Sequence, residues 1–348
     1  RRWRDRQQLH RLRNRCSGLI FSPKAETAKS RREPPERGAF LLLFAARKPC
    51  EGPWRWQHRL NLWKPMVAGP ADPPISGNGD PISEEEALRR LRLSDDPSAQ
   101  YYAAWWLGRN RSSHPDAVPL LQEALRQRRP RDAGAGVEEN AVARNAARAL
   151  GKLGGAAEAA IDDLLATLED EDDGLREAAA RSLGELKARR AVPALQRRLA
   201  SGPAVAGAQR SGTPRLQEPC EALLEALGEI GEGSAEVVAV IEPFVQHERP
   251  LIRSAACRAL LQLTQEPRWG EQLLALLQHQ QLQVRRAALM DLGGAGWRPA
   301  LPAIAATLAE NSLKLIALRG LVENQDAGAP SQLDASTVAV LEAMDDLL

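Results

Sequence analysis

The sequence predicts an all-α chain: a solenoid of about six to seven stacked helical pairs. Three observations predict it. A leucine-anchored pattern recurs as QYYAAWWLG (100–108), ARNAARALG (143–151), REAAARSLG (176–184), CEALLEALG (220–228), RSAACRALL (253–261), RRAALMDLG (285–293) and, more weakly, KLIALRGLV (314–322). The anchors Leu107, Leu150, Leu183, Leu227, Leu260, Leu292 and Leu321 are 43, 33, 44, 33, 32 and 29 residues apart, a period near 32 stretched twice. Between copies lie second amphipathic stretches that open near a proline, AVPLLQEAL (117–125), AVPALQRRL (191–199) and LPAIAATL (301–308). Proline suits the first turn of a helix, where its missing N–H costs nothing.

Each copy is a helix by its own pattern. In Gly174–Leu186, Leu175, Ala179, Leu183 and Leu186 share one face, and the intervening alanines let a neighbouring helix approach closely. A pair of such helices cannot bury its apolar faces alone, so pairs stack. Two helices per unit of this length is the HEAT-like repeat pattern. No run of 18 apolar residues is present, so no membrane span is expected.

Taken in order, residues 1–65 stand outside this pattern. They hold 17 Lys/Arg against 5 Asp/Glu, half of the eight tryptophans and no helical period. They read as sequence upstream of a true start at Met66, with an Arg-rich transit peptide as the functional alternative. Residues 66–82 read as a flexible, Pro/Gly-rich leader, 83–325 as the repeat body and 326–348 as a C-terminal cap. Without the leader the charge changes from +2 to −10, and an acidic body argues against a nucleic-acid partner.

The body opens at Ser83, followed by Glu84–Glu86, a capping-box start in which Glu86 reaches back to the cap. The next helix, 100–109, carries Tyr101, Tyr102, Trp105 and Trp106 where other copies carry Glu, Arg or Ala. Tyr101 and Trp105 are expected to stack at i,i+4 and to face away from the core. If the second helix of each pair lines the inner, concave face, two rows cross it: Tyr101, Arg144, Glu177, Glu221, Ser254, Arg286, and Trp105, Arg148, Arg181, Glu225, Arg258, Met290. Tyr101 and Trp105 with Arg144, Arg148, Arg181 and Arg258 would then hold a large, flat, conjugated anion by stacking and carboxylate pairing. The alternative is that the aromatics close the first core layer while the arginines are solvated.

Two insertions interrupt the array. Arg126–Asn140 is basic, then glycine-rich, and Ser201–Gln217 reads as flexible and polar; either suits a binding loop or tolerated disorder. Val338–Leu348 reads as a terminal capping helix. Cys220 and Cys257 read as small buried side chains, since Cys257 takes a slot that is alanine in neighbouring copies. His114, His247 and His279 are isolated near turns, and no CxxC, HExxH or Cys/His cluster suggests a metal.

YYAAWWLG (101–108), ARNAARALGKLG (143–154), LREAAARSLGEL (175–186), QEPCEALLEALG (217–228), EPFVQHERPLIRSAACRALLQLT (242–264) and SLKLIALRGL (312–321) together resemble the E subunit of the E/F-type bilin lyases, in particular the phycocyanin α-subunit phycocyanobilin lyases of cyanobacteria. The resemblance covers about 84–322. It implies a cytosolic heterodimer with an F-type subunit that takes phycocyanobilin as substrate, with no permanently bound cofactor. The pair would promote a thioether between ring A of the bilin and a cysteine of the phycocyanin α subunit. In that setting Glu177 or Glu221 is a candidate for proton transfer. The chain departs from the family at 130–140, where RDAGAGVEE replaces an expected aromatic loop. A sister lyase for phycoerythrin or phycoerythrocyanin, or a scaffold that grips a partner protein, are the competing functions.

Overall fold

The computed structural model describes residues 82–129, 140–213, 215–324 and 334–348. The expectations for the leader, for 66–81, for most of the glycine-rich part of the first insertion and for 326–333 fall outside them. Within the described residues every regular element is helical, and the only β feature is a single bridge between Gln209 and Leu216.

The pairs follow one another along the chain: α1 (Glu84–Leu91) with α2 (Pro97–Arg109), α3 (Ala117–Arg126) with α4 (Ala141–Leu153), and α5 (Ile161–Thr167) with α6 (Asp173–Glu185). Next come α7 (Val192–Leu199), the one-turn α8 (Pro203–Ala206) and α9 (Cys220–Ile230), then α10 (Ala235–Ile241) with α11 (Pro250–Thr264). The last are α12 (Pro267–Leu276) with α13 (Leu282–Ala295), α14 (Leu301–Ala306) with α15 (Asn311–Glu323), and α16 (Ala335–Asp345). Each second helix packs on the next, so α2, α4, α6, α9, α11, α13 and α15 form a continuous stack closed by α16 against α15. The seven anchor leucines are all buried in one core that runs through the array.

The glycine after the anchor leucine sets how closely these helices approach. A Cβ on Gly108 would stand 2.7 Å from Ala149 Cα, and one on Gly151 would stand 2.7 Å from Ser182 Cα. Backbones that near leave no room for a side chain, which is why the repeat reads Leu-Gly. The fifth copy has Leu261 there instead, and the α11–α13 crossing carries polar contacts: Ser254 donates to Asp291, and Gln262 donates to the Gly294 carbonyl at 3.1 Å.

A second repeat position ties each pair together. Gln100 donates to the Leu91 carbonyl (3.0 Å), Arg176 to those of Asp170 and Glu171 (2.8 and 3.1 Å), Arg253 to His247 and Glu248 (2.9 and 3.2 Å), Arg285 to His279 and Gln280 (2.7 and 3.0 Å), and Lys314 to Ala305 (2.7 Å). These donors satisfy backbone carbonyls at the end of the preceding helix (Leu91, Ala305) or in the turn that follows it (Asp170, Glu171, His247, Glu248, His279, Gln280). At the two copies that follow insertions the position is Ala143 or Cys220. Asn140 takes over in the first case, exchanging bonds with the backbone of Arg129 at 2.9 and 3.0 Å. The three histidines also serve the turns: Nδ1 of His114, His247 and His279 accepts from the N–H of Asp116, Arg249 and Gln281.

Two local expectations are corrected. Ser83 caps α1 by accepting from Glu86 N at 3.2 Å, but the Glu86 carboxylate turns to Arg89 and Arg90 instead of back to the cap. Two guanidiniums within one turn outcompete a single backbone N–H. The described residues of the 201–217 insertion are held by specific contacts instead of being free: α8 forms there, Arg176 and Arg210 donate to the Gln217 carbonyl at 2.9 and 3.1 Å, and Arg249 donates to Gln209 at 3.2 Å.

Candidate inner-face site

The two rows run across the stacked helices α2, α4, α6, α9, α11 and α13, but they are not open along their length: Ser254, Arg258 and Met290 at the far end are buried. At the start of the upper row Tyr101 is 37% exposed, while Trp105 is half-buried. The expected Tyr101–Trp105 stack does not form. Trp105 pairs with Tyr102, ring centroids 5.3 Å apart and planes 31° apart, and the Arg109 guanidinium lies 5.1 Å from the Trp105 ring. A helix of 3.6 residues per turn offers i+3 as well as i+4 neighbours, and here the i+3 pair is made. Trp106 packs against the core, so the four aromatics divide between closing the first layer and facing out. Asn145 ties the region together by donating to the Tyr101 carbonyl at 3.2 Å.

The expected row of open guanidiniums is also corrected. Arg144 pairs with Asp172 at 3.1 Å. Burial raises the Asp172 pKa, but Arg144, Asn140 and two backbone N–H groups hold it below the usual carboxylate range. Arg181 is held by Glu225 and, at 3.4 Å, by Glu177. Burial works against its charge, and Glu225, Glu177 and Glu221 outweigh that to raise its pKa. Arg258, only 1% exposed, pairs with Glu229 at 2.7 Å and Asp291 at 3.7 Å. A buried cation needs such partners, which is why three of the four arginines cannot stand open.

Arg148 differs. Among the described residues it has no hydrogen bond or ion pair, and its Nε is shielded from solvent without a partner. Burial lowers its pKa; Glu177 and Tyr101 pull the other way, and Arg144 and Arg181 add repulsion. The structure therefore brings Tyr101, Arg144, Arg148, Glu177 and Arg181 into one neighbourhood, with Arg258 two helices beyond among Glu229 and Asp291 and linked back electrostatically through Glu225 and Arg181.

One turn further along each helix lies a row that the sequence reading did not single out: Arg109, Lys152, Glu185, Glu229 and Gln262. Glu185 has neither a hydrogen bond nor an ion pair among the described residues. Burial and then the facing Glu229 push its pKa up to about 7. Burial likewise pushes Asp291 up to about 6 against the pull of Arg258. Extending the two rows by four residues would have found this one, because i+4 continues the same helix face. Glu177, the earlier proton-transfer candidate, is committed to Arg181, and Glu221 is half-buried in the first row.

Both described cysteines are buried thiols pushed up to about 12 by burial, a state in which the reactive thiolate is scarce. Among the described residues no His/Cys/Asp/Glu grouping is arranged to hold a metal, and no helix is long and apolar enough to cross a membrane.

Comparison with known proteins identifies the repeat. Residues 134–210 and 218–293 match the family of HEAT repeats, and residues 99–127 match the PBS lyase HEAT-like repeat. The chain is 48% identical over 277 residues to bilin biosynthesis protein RpcE of Synechococcus sp. (strain WH8020), an alignment covering 80% of this chain and 99% of that protein. It is 47% identical over 264 residues to the phycocyanobilin lyase subunit alpha of Picosynechococcus sp., covering 76% and 96%. The structure is similar to the complex of CpcE and CpcF of phycocyanin lyase from Nostoc sp. PCC7120, with a TM-score of 0.69, 43% identity, and 80% and 100% coverage.

Proposed function

The chain belongs to the phycocyanobilin lyase alpha-subunit family, and from that we propose that it is the E-type subunit of a heterodimeric bilin lyase. With an F-type partner it promotes thioether formation between phycocyanobilin and a cysteine of the phycocyanin α subunit. Its ligand is an open-chain tetrapyrrole with two propionates, taken as substrate. Its place of action, by the same reading, is the cyanobacterial cytosol.

The observation that carries the reading to residues is Arg148, a guanidinium without a carboxylate, beside the exposed ring of Tyr101. A propionate would supply the missing partner, and a charge-assisted pair of that kind contributes about 1.5–3 kcal/mol. Tyr101 and Trp105 offer faces for the conjugated chain. Arg144 and Arg181 add positive field while staying with Asp172 and Glu225. The chemistry asked of the protein is then largely positional. The acceptor thiolate is the nucleophile, and the lyase holds the ring A ethylidene group where that sulfur can reach it. Cys220 and Cys257 are too buried to compete for it.

The test is co-production of the chain with an F-type partner, a phycocyanin α subunit and a phycocyanobilin source, with zinc-fluorescent pigment on the denatured acceptor as readout. Covalent pigment with the wild type, abolished by Tyr101→Ala/Trp105→Ala, is expected. Pigment that survives the double substitution returns those aromatics to packing. Pigment bound but transferred only to another phycobiliprotein indicates a sister lyase, and no pigment binding overturns the lyase reading in favour of a scaffold.

A further inference from the structure

We propose that Glu185 is the carboxyl that meets the pyrrole nitrogens of the bound bilin and transfers its proton to them. This rests on the bilin-lyase reading above and assigns a step within the same site.

The placement carries the argument. Among the described residues of these rows, Arg148 and Glu185 have no direct partner, one basic and one acidic, in adjacent rows. Arg148 lies on α4 with Lys152 one turn further along, and Arg181 lies on α6 with Glu185 one turn further along. A turn advances about 5.4 Å, so a propionate held at Arg148 leaves the tetrapyrrole body within reach of the Glu185 row. A bilin offers both complements: carboxylates for the guanidinium, and a ring system rich in N–H groups with one imine-type nitrogen for the carboxyl.

Glu185 is also poised to exchange a proton near neutrality. The charged groups that face it are Glu229 from α9, Lys152 from α4, Arg181 on its own helix and Arg111 from the turn after α2. Burial and the like charge of Glu229 favour the neutral acid, and the three cations oppose them without making a direct pair. Glu229 cannot play the same part, because its carboxylate is bonded to Arg258 at 2.7 Å.

The step balances as follows. The carboxylic acid of Glu185 gives its proton to the imine-type nitrogen, leaving a carboxylate beside a cationic bilin. The acceptor thiolate then donates an electron pair to the exocyclic ring A carbon and the S–C bond forms. The π pair of the ethylidene double bond moves into the conjugated system and cancels the positive charge. The proton lost by the acceptor thiol to solvent replaces the one that Glu185 gave, so no oxidant or reductant is needed. A cationic bilin is the better electrophile, which makes Glu185 a group that activates the substrate as well as recognising it.

The experiment uses the full chain with its F-type partner and phycocyanobilin, comparing wild type, Glu185→Gln and Glu185→Asp. Absorption of the bound bilin is followed from pH 5 to 9, with the affinity and the rate of covalent attachment. In the wild type the long-wavelength band of the protonated bilin is expected to persist to higher pH than in Glu185→Gln, the midpoint falling by about one to three pH units in the variant. Attachment at pH 7.5 slows by about ten-fold or more in Glu185→Gln and recovers in part in Glu185→Asp. Affinity changes by less than about three-fold, because Arg148 still holds the propionate. A Glu185→Gln complex that binds bilin with an unchanged spectral titration overturns this assignment and leaves the lyase reading intact. A wild-type complex that binds no bilin overturns both.

Discussion

The N-terminal and central stretches of the second-helix stack are built from the same repeat position with opposite outcomes. Arg148, Arg181 and Arg258 occupy one row on α4, α6 and α11. Arg258 sits in a closed cluster with Glu229 and Asp291, itself joined to Ser254, so its charge is neutralised within the fold. Arg148 faces Tyr101 and two other arginines, and although the charge of Glu177 acts on it, no carboxylate among the described residues pairs with it directly. The difference lies across the helix interface: α9 supplies Glu225 and Glu229 to its neighbours, whereas α2 supplies tyrosine and tryptophan to α4. A residue type in a repeat becomes structural or available according to its partner on the adjacent helix. The central stretch holds its cation in ion pairs, and the N-terminal stretch leaves Arg148 without one, where we place the bilin propionate.

The most direct way to break this contrast is Arg258→Ala. It leaves Glu229 and Asp291 buried without their cation, and a loss of about 3–5 kcal/mol is expected. Denaturant unfolding of the full chain measures it, and a loss under about 1 kcal/mol would mean that the cluster is not holding the stack.

Arg148→Ala should invert the pattern. Stability is expected to hold or to rise slightly, since burial and two neighbouring cations already disfavour this charge. Covalent pigment attachment with the F-type partner should fall by about ten-fold or more, equivalent to about 1.4 kcal/mol. Unchanged attachment beside a large loss of stability would erase the distinction between the two stretches.

The pH dependence sharpens it further. Glu185 and Asp291 have pKa values raised by folding, so between the unfolded and folded values the native state holds more protons than the unfolded chain. Their stabilisation is therefore full below about pH 4 and is lost as pH rises through about 6 for Asp291 and about 7 for Glu185. Glu185→Gln removes one of these contributions. Thermal unfolding at pH 8 should show the variant more stable than wild type by about 1 kcal/mol, with the gap closing by pH 5. A gap that widens on acidification would reverse the assigned direction.

The smallest effect belongs to the surface. Arg190 and Asp162 form a pair at 2.8 Å, but both side chains are about 70% exposed, so Arg190→Ala should change stability by less than about 0.5 kcal/mol. This sets the scale against which the inner-face pairs count.

Much of the fold was legible in the chain. The anchor leucines marked a buried row, the alanines marked closely approaching helices, and the prolines marked first-turn positions, each because helical periodicity and sterics act on neighbouring residues; the part played by the glycine after the anchor emerged only from the packing. Cys257 in an alanine slot was readable in the same way. The site was legible only in part. Tyr101, Trp105 and the arginine rows could be placed on one face, but not the i+3 contact of Tyr102 with Trp105, nor the commitment of Arg144, Arg181 and Arg258 to carboxylates. The contacts that hold Gln209 and Gln217 were missed because their donors, Arg249 and Arg176, lie outside the loop.

A helical repeat array and its register follow from spacing along one chain, whereas the family was legible only through the resemblance of particular motifs such as YYAAWWLG and ARNAARALGKLG. The tertiary structure decided which charges are spent and which remain. Arg148 and Arg258 are indistinguishable as repeat positions, and only the side chains brought up from the neighbouring helix make Arg258 part of a buried ion pair and leave Arg148 without a direct one.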